Sequence, residues 1–193
     1  MNPATAADGT LVDKKSRPDD ERSTLYVVSV TKFILLYALT AGGYVFYWSY
    51  RNWASYKEVS GAPIMPLMRA VFWPFFILSL FDKVQNGLDM TGRSYFWHPE
   101  TRGLLIMLLV MFAVLVSLFF NRPTDTVFVF VANVVLIASC CAMFVEAQRA
   151  INMLGGDPQG SHNSAFTCSN VVWMVVGVLY MAFVAYLVFM FEG

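Results

Sequence analysis

Four stretches of this chain, residues 33–50, 103–120, 127–145 and 171–191, contain no Asp, Glu, Lys or Arg. A helix rises about 1.5 Å per residue and the hydrocarbon core of a bilayer is about 30 Å thick, so each stretch is close to the length of a transmembrane helix. In lipid every backbone N–H and C=O must be paired within the structure, which makes runs of this kind helical. Composition agrees: 58% of the residues are apolar and 13% are charged, against about 45–50% and about 25% in soluble domains. The expected class is all-α, a polytopic helical membrane protein.

A fifth stretch, residues 64–81 (IMPLMRAVFWPFFILSLF), carries Arg69 and Pro74. Its apolar residues lie all round a helix, which favours a span over a surface-lying amphipathic helix. Arg69 is near enough to one end to snorkel, and Pro74 predicts a kink. Counted with the other four it makes about five transmembrane helices, four clear and one that is either a span or a re-entrant segment.

Residues 1–24 are polar and mixed in charge, and read as a disordered tail preceding a helical transmembrane domain over residues 25–193. The apolar run beyond residue 25 is too long for a cleaved secretory signal and reads as a retained anchor. Lys and Arg are enriched in cytoplasmic loops. With five spans and a cytoplasmic N-terminus, Lys14, Lys15, Arg17, Arg22, Lys32, Lys83, Arg93, Arg102 and Arg149 face inward, and Arg51, Lys57 and Arg122 face outward. A rival arrangement makes the first two apolar segments a re-entrant or tightly packed pair, which returns Arg51 and Lys57 to the cytoplasm.

The end of the first segment, YVFYWSYRNW, crowds aromatic rings around one arginine. On a helix Tyr44, Tyr47, Trp48 and Arg51 share one face, while Phe46, Tyr50 and Trp53 share another. Rings spread round the circumference match an interfacial belt better than a pocket, so Tyr44, Tyr47, Trp48, Tyr50, Arg51 and Trp53 are expected to anchor the helix at a membrane surface or touch lipid. Arg51 suits either a phosphate or a cation–π contact. Gly42 and Gly43 permit close helix approach or a bend. Asn133, an amide at membrane depth, is expected to make a hydrogen bond between helices.

Two longer loops, residues 82–102 and 146–170, hold most polar side chains beyond the tail. They begin alike: Asp82, Lys83, Gln85 and Asn86 at one exit, and Glu146, Gln148, Arg149 and Asn152 at the other. Such groups commonly cap and solvate helix ends. The sharper expectation is a polar cytoplasmic vestibule directed at a partner or a lipid headgroup.

No catalytic motif is recognised. His98 and His162 lie in separate loops without metal-ligand spacing, and no phosphate-binding glycine loop or nucleophile elbow is present. No metal and no cofactor is expected. The clear spans lack the ionisable groups that coupled carriers keep at membrane depth. A formal net charge of zero points to no nucleic-acid partner. The expected partners are the lipid bilayer and either another protein or further copies of the chain.

The block TAGGYVFYWSYRNW, residues 40–53, with Lys32 and Phe33 upstream, resembles small bacterial membrane proteins of unknown function that carry a Gly-x-Tyr-x-x-Tyr-Trp-x-Tyr-Arg/Lys-Asn block. Residues Gln148, Asn152, Asn163, Phe166, Thr167 and Asn170 are similar to a later part of such proteins. The resemblance implies a multi-pass protein of the bacterial inner membrane and brings no activity with it. The leading expectation is a non-enzymatic accessory, scaffold or regulatory subunit acting through its cytoplasmic loops. The alternative is an oligomeric small-solute or lipid transporter or channel subunit.

Overall fold

The computed structural model describes residues 25–120, 122 and 125–192, so the expected tail, residues 1–24, lies outside the described residues. Among the described residues the regular structure is helical throughout: α1 (Val30–Leu39), α2 (Tyr44–Ser60), α3 (Pro66–Val71), α4 (Trp73–Thr91), α5 (Pro99–Phe119), α6 (Thr126–Leu154) and α7 (Cys168–Glu192), with a short 3-10 turn at Ser161–Asn163. Three helices are long and apolar enough to cross a membrane: Pro99–Phe119, Thr126–Leu154 and Cys168–Met190. These match the last three expected spans.

The first expected span is two helices. The Ser29 hydroxyl accepts the Lys32 N–H and starts α1, which ends after ten residues in a left-handed turn with Ala41 at φ 50° and Gly42 at φ 83°. The Gly42 N–H reaches back to the Tyr37 carbonyl (2.8 Å) and the Ala41 N–H to that of Ala38 (3.1 Å), the pairing that closes many helix C-termini. Thr40 serves both helices, since its hydroxyl donates to the Leu36 carbonyl (2.6 Å) and accepts the Tyr44 N–H (2.9 Å). The chain reverses at this point. Phe33 packs on Tyr44 and Trp48, at ring separations of 5.6 and 6.0 Å, and Tyr26 lies beside Tyr47 at 6.1 Å, which is the pairing of an antiparallel hairpin. Gly42 and Gly43 thus sit in a reversal, tighter than the bend their sequence permits. A ten-residue helix reaches about 15 Å, half the hydrocarbon core.

The second expected span is also divided. Pro66 opens α3, which stops at Phe72, and Pro74 stands in the first turn of α4. A proline lacks an N–H and suits a first turn, so Pro74 starts a helix where a kink was expected. The helix then runs on to Thr91, and α6 likewise runs on to Leu154. Much of what read as two polar loops is therefore helix. The extensions hold because they keep an inward stripe: Leu80, Phe81, Val84 and Leu88 on α4, and Ala147, Ala150, Ile151 and Leu154 on α6, are all buried.

Helices α1 and α4 pack on the C-terminal part of α6, α2 reaches it through Trp48, and α3 packs on α2. Phe144 is the hub, fully buried, with the rings of Phe33, Tyr37, Trp48 and Trp73 5.4–6.4 Å away. Gly87 of α4 abuts the Leu154 side chain and Gly103 of α5 abuts Leu78, both closer than a Cβ would allow. Arg93 donates to the Leu154 carbonyl, where a cation offsets the negative end of the α6 dipole. Midway along α7, Gly177 lies so close to the Leu39 carbonyl and Thr40 Cα that any side chain there would collide with backbone. Beyond this level α5, α6 and α7 continue largely without the other helices, and exposed Leu, Val and Phe cover them, among them Leu108, Leu115, Phe128, Val131, Phe183 and Phe189.

Candidate functional site: a buried amide lock and an apolar furrow

Residues 25–29 form an extended strap, and side-chain amides from three parts of the chain seize its backbone. Asn152 of α6 pairs with both polar groups of Val28: its Oδ1 accepts the Val28 N–H (3.3 Å) and its Nδ2 donates to the Val28 carbonyl (2.9 Å). Gln148, one turn earlier, donates to the Tyr26 carbonyl (3.2 Å) and to Asn152 Oδ1 (2.7 Å). Asn52 of α2 accepts the Tyr26 N–H (3.1 Å), and Asn163 donates to the Val27 carbonyl (3.0 Å). The strap is thus paired as a strand would be, with side-chain amides in place of a neighbouring strand. Gly160, at φ 64°, completes the grip, because a Cβ there would lie 2.5 Å from the backbone of Val28 and Ser29.

The indole of Trp48 donates to Gln148 Oε1 (2.5 Å), which ties the first aromatic block into the same network. Gln148, Asn152 and Asn52 have no exposed surface. Buried polar groups are tolerated where their hydrogen bonds are made, and a connected network of them fixes one arrangement. Lys32 is also buried, and its ammonium donates to Asn163 Oδ1 (2.8 Å) and the Ala165 carbonyl (2.7 Å). The loop carrying Asn163 is ordered by Asp157, whose carboxylate accepts from the Ser161 hydroxyl (2.9 Å) and the His162 N–H (3.1 Å) and lies 2.9 Å from His162 Nδ1. Partial burial raises the Asp157 pKa, but the hydrogen bonds from His162 and Ser161 outweigh it and hold the carboxyl well below the usual range.

The expected membrane-surface residues separate into two groups. Tyr44, Trp48 and Trp53 are buried, together with Val45, Ser49 and Asn52, so Trp48 and Trp53 have no surface to offer lipid. Tyr47 and Tyr50 are 46% and 41% exposed, and the Arg51 guanidinium lies 5.0 Å from the centre of the Tyr26 ring. Ring spacing along the helix could not reveal this division, because the strap and α6 decide which face is inward. Arg69 caps the Trp53 ring at 4.2 Å and lies 5.1 Å from the Phe76 ring.

The vestibule residues divide similarly. Gln148 and Asn152 lie inside, in the lock. Asp82 and Asn86 are exposed, and Lys83 Nζ lies 5.9 Å from the Tyr56 ring. Gln85 donates to Asp89 (2.8 Å) and accepts the Trp97 indole N–H (3.0 Å). Glu146 accepts from Arg149 (2.7 Å) and from the Tyr95 hydroxyl (2.7 Å). Burial, and then the bond to Glu146, raise the Tyr95 pKa. Arg93, Tyr95 and Trp97 thus bridge the two exits, which form a filled platform where an open basin was expected. His98 stacks edgewise on Phe96 at 4.9 Å, and among the described residues no three His, Cys, Asp or Glu side chains cluster as metal ligands would.

A second feature runs along one face of α6. An apolar furrow of about 1150 Å³ extends from Arg122 and Thr126 to Glu146 and Arg149, walled by α1 and the turn after it (Ile34, Tyr37, Ala38, Ala41) and by α7 (Tyr180, Met181, Val184, Val188). Asn133 lines it, with Nδ2 donating to the Val129 carbonyl of its own helix (2.8 Å).

The chain matches no family model, no curated protein and no solved structure.

Proposed function

We propose that this is a non-enzymatic accessory or scaffolding subunit of a bacterial inner membrane, whose working surface is the platform built at one end of α5 to α7. The observation that carries the reading is the amide lock. Four side chains, all distant in sequence from the strap, are committed to holding it against α2 and α6, which produces a rigid face from segments too short or too polar to count as spans. Pre-organised surfaces lower the entropic cost of binding a partner.

The membrane arrangement that best fits this platform has three spans, with the α1–α2 and α3–α4 pairs both entering and leaving on the platform side. Charge supports it over five spans. Twelve of the thirteen Lys and Arg then share the platform side, and Arg122 alone is opposite, a stronger bias than the five-span count yields. The platform side, with the N-terminal tail, is on this reading cytoplasmic.

Co-purification in mild detergent tests the function. A stoichiometric heterologous partner, lost when Asp82, Asn86 and Arg149 are replaced together, is the expected result. A pure homo-oligomer that conducts solute in liposomes would instead establish the transporter reading, which the furrow favours.

A further inference from the structure

We propose that the cleft between α6 and α7 binds one anionic phospholipid of the far leaflet, its phosphate on Arg122 and its acyl chains between the helices. The inference rests on the three-span reading. All the α7 residues that line the furrow lie beyond Gly177, where α7 meets the tip of α1 at backbone contact. The α1 tip therefore floors the α6–α7 cleft partway through the bilayer. From Thr126 to Ala138 the α6 wall rises about 18 Å, close to the depth of one leaflet. Its walls are mostly hydrocarbon, with Val129, Val134 and Ile137 on one side and Val184 and Val188 on the other, and the Asn133 amide among them donates to the carbonyl of its own helix.

The mouth supplies the charge. Arg122 is exposed and lines the furrow, and it is the Lys or Arg that stands on the far side when the other twelve do not. Its backbone N–H donates to Asp125 Oδ2 (3.3 Å), so that the neighbouring carboxylate is engaged with loop backbone. Guanidinium suits a phosphate because it offers parallel N–H donors, and the first turn of α6 adds its positive dipole end. At the near mouth Arg149 is paired to Glu146 at 2.7 Å, and the two charges offset one another. Past the α1 tip the furrow continues towards Glu146 and Arg149 with α1 in place of α7 as its second wall, so the part held between α6 and α7 ends at about the depth of one leaflet. A lipid of one leaflet matches its depth and its single cationic end.

The test uses the full chain purified in mild detergent and exchanged into dioleoyl phosphatidylglycerol or dioleoyl phosphatidylethanolamine, with retained lipid counted by native mass spectrometry. The expected result is one retained phosphatidylglycerol, preferred about tenfold over phosphatidylethanolamine, as one charge-assisted contact allows, and not displaced by millimolar inorganic phosphate. Arg122→Ala should bring the two lipids to near parity. Val134→Trp should expel both, while Leu115→Trp on the exposed side of α5 should change nothing. Unaltered retention in both Arg122→Ala and Val134→Trp would overturn the proposal, as would a protein helix cross-linked to cysteine at position 134. A failed three-span reading shows elsewhere, as labelling of Lys57→Cys from outside intact cells, so the two failures are distinguishable.

Discussion

Asn152 commits both ends of its amide to a residue 124 positions away, and that commitment has a measurable consequence. Asn152→Ala leaves the Val28 N–H and carbonyl unpaired, each at about 1–3 kcal/mol, so a loss of roughly 2–6 kcal/mol is expected. Thermal unfolding in detergent measures it, and Asn152→Asp should be worse because it also buries a charge. Asp157 acts on the same strap through its loop. A carboxyl with a depressed pKa contributes stability that is fully present above the unfolded value, about 3.9, and is lost as pH falls through the folded one. Protease resistance of residues 157–163 should therefore persist unchanged down to about pH 4 and fail only under stronger acid; loss near neutrality would show that the Asp157 carboxylate does not hold the loop. Little of this was legible beforehand. Gln148 and Asn152 stand one turn apart on an apolar helix, which marks them as sharing a face, but nothing near them in sequence announces what they hold.

At the scale of the helix, the reversal at residues 40–43 separates a hairpin from a span. Ala41 occupies a left-handed conformation that costs an L-residue about 1–2 kcal/mol and glycine far less. Ala41→Gly should stabilise the folded protein by about 1 kcal/mol, read as a higher melting temperature in detergent. No gain would mean that α1 continues straight into α2. The pair Gly42 and Gly43 was visible in the sequence as a site for a bend, and Pro74 as a disturbance in the second segment. Their outcomes were not visible, because hydropathy sums the same residues whether a run is one helix or two folded back. Capping was more readable: Pro99 and Glu100 open α5 as their chemistry predicts.

For the molecule as a whole, the decisive measurement is sidedness. In a background with Cys140, Cys141 and Cys168 replaced, cysteine at position 57 should resist an impermeant maleimide in intact cells and react after lysis, whereas cysteine at 122 should react in both. Labelling of position 57 in intact cells would restore five spans. The sequence by itself determined the helical architecture and the three uninterrupted helices long and apolar enough to cross a membrane, since length and the absence of charge are properties of a local window. Only the tertiary structure decided that the first of the other two apolar runs folds back on itself and the second breaks at Phe72, that Trp48 and Trp53 face inward, and that two expected vestibule amides grip the strap. The last two outcomes depend on segments a hundred or so residues apart arriving at one place, where a buried amide must find a partner or remain unpaired.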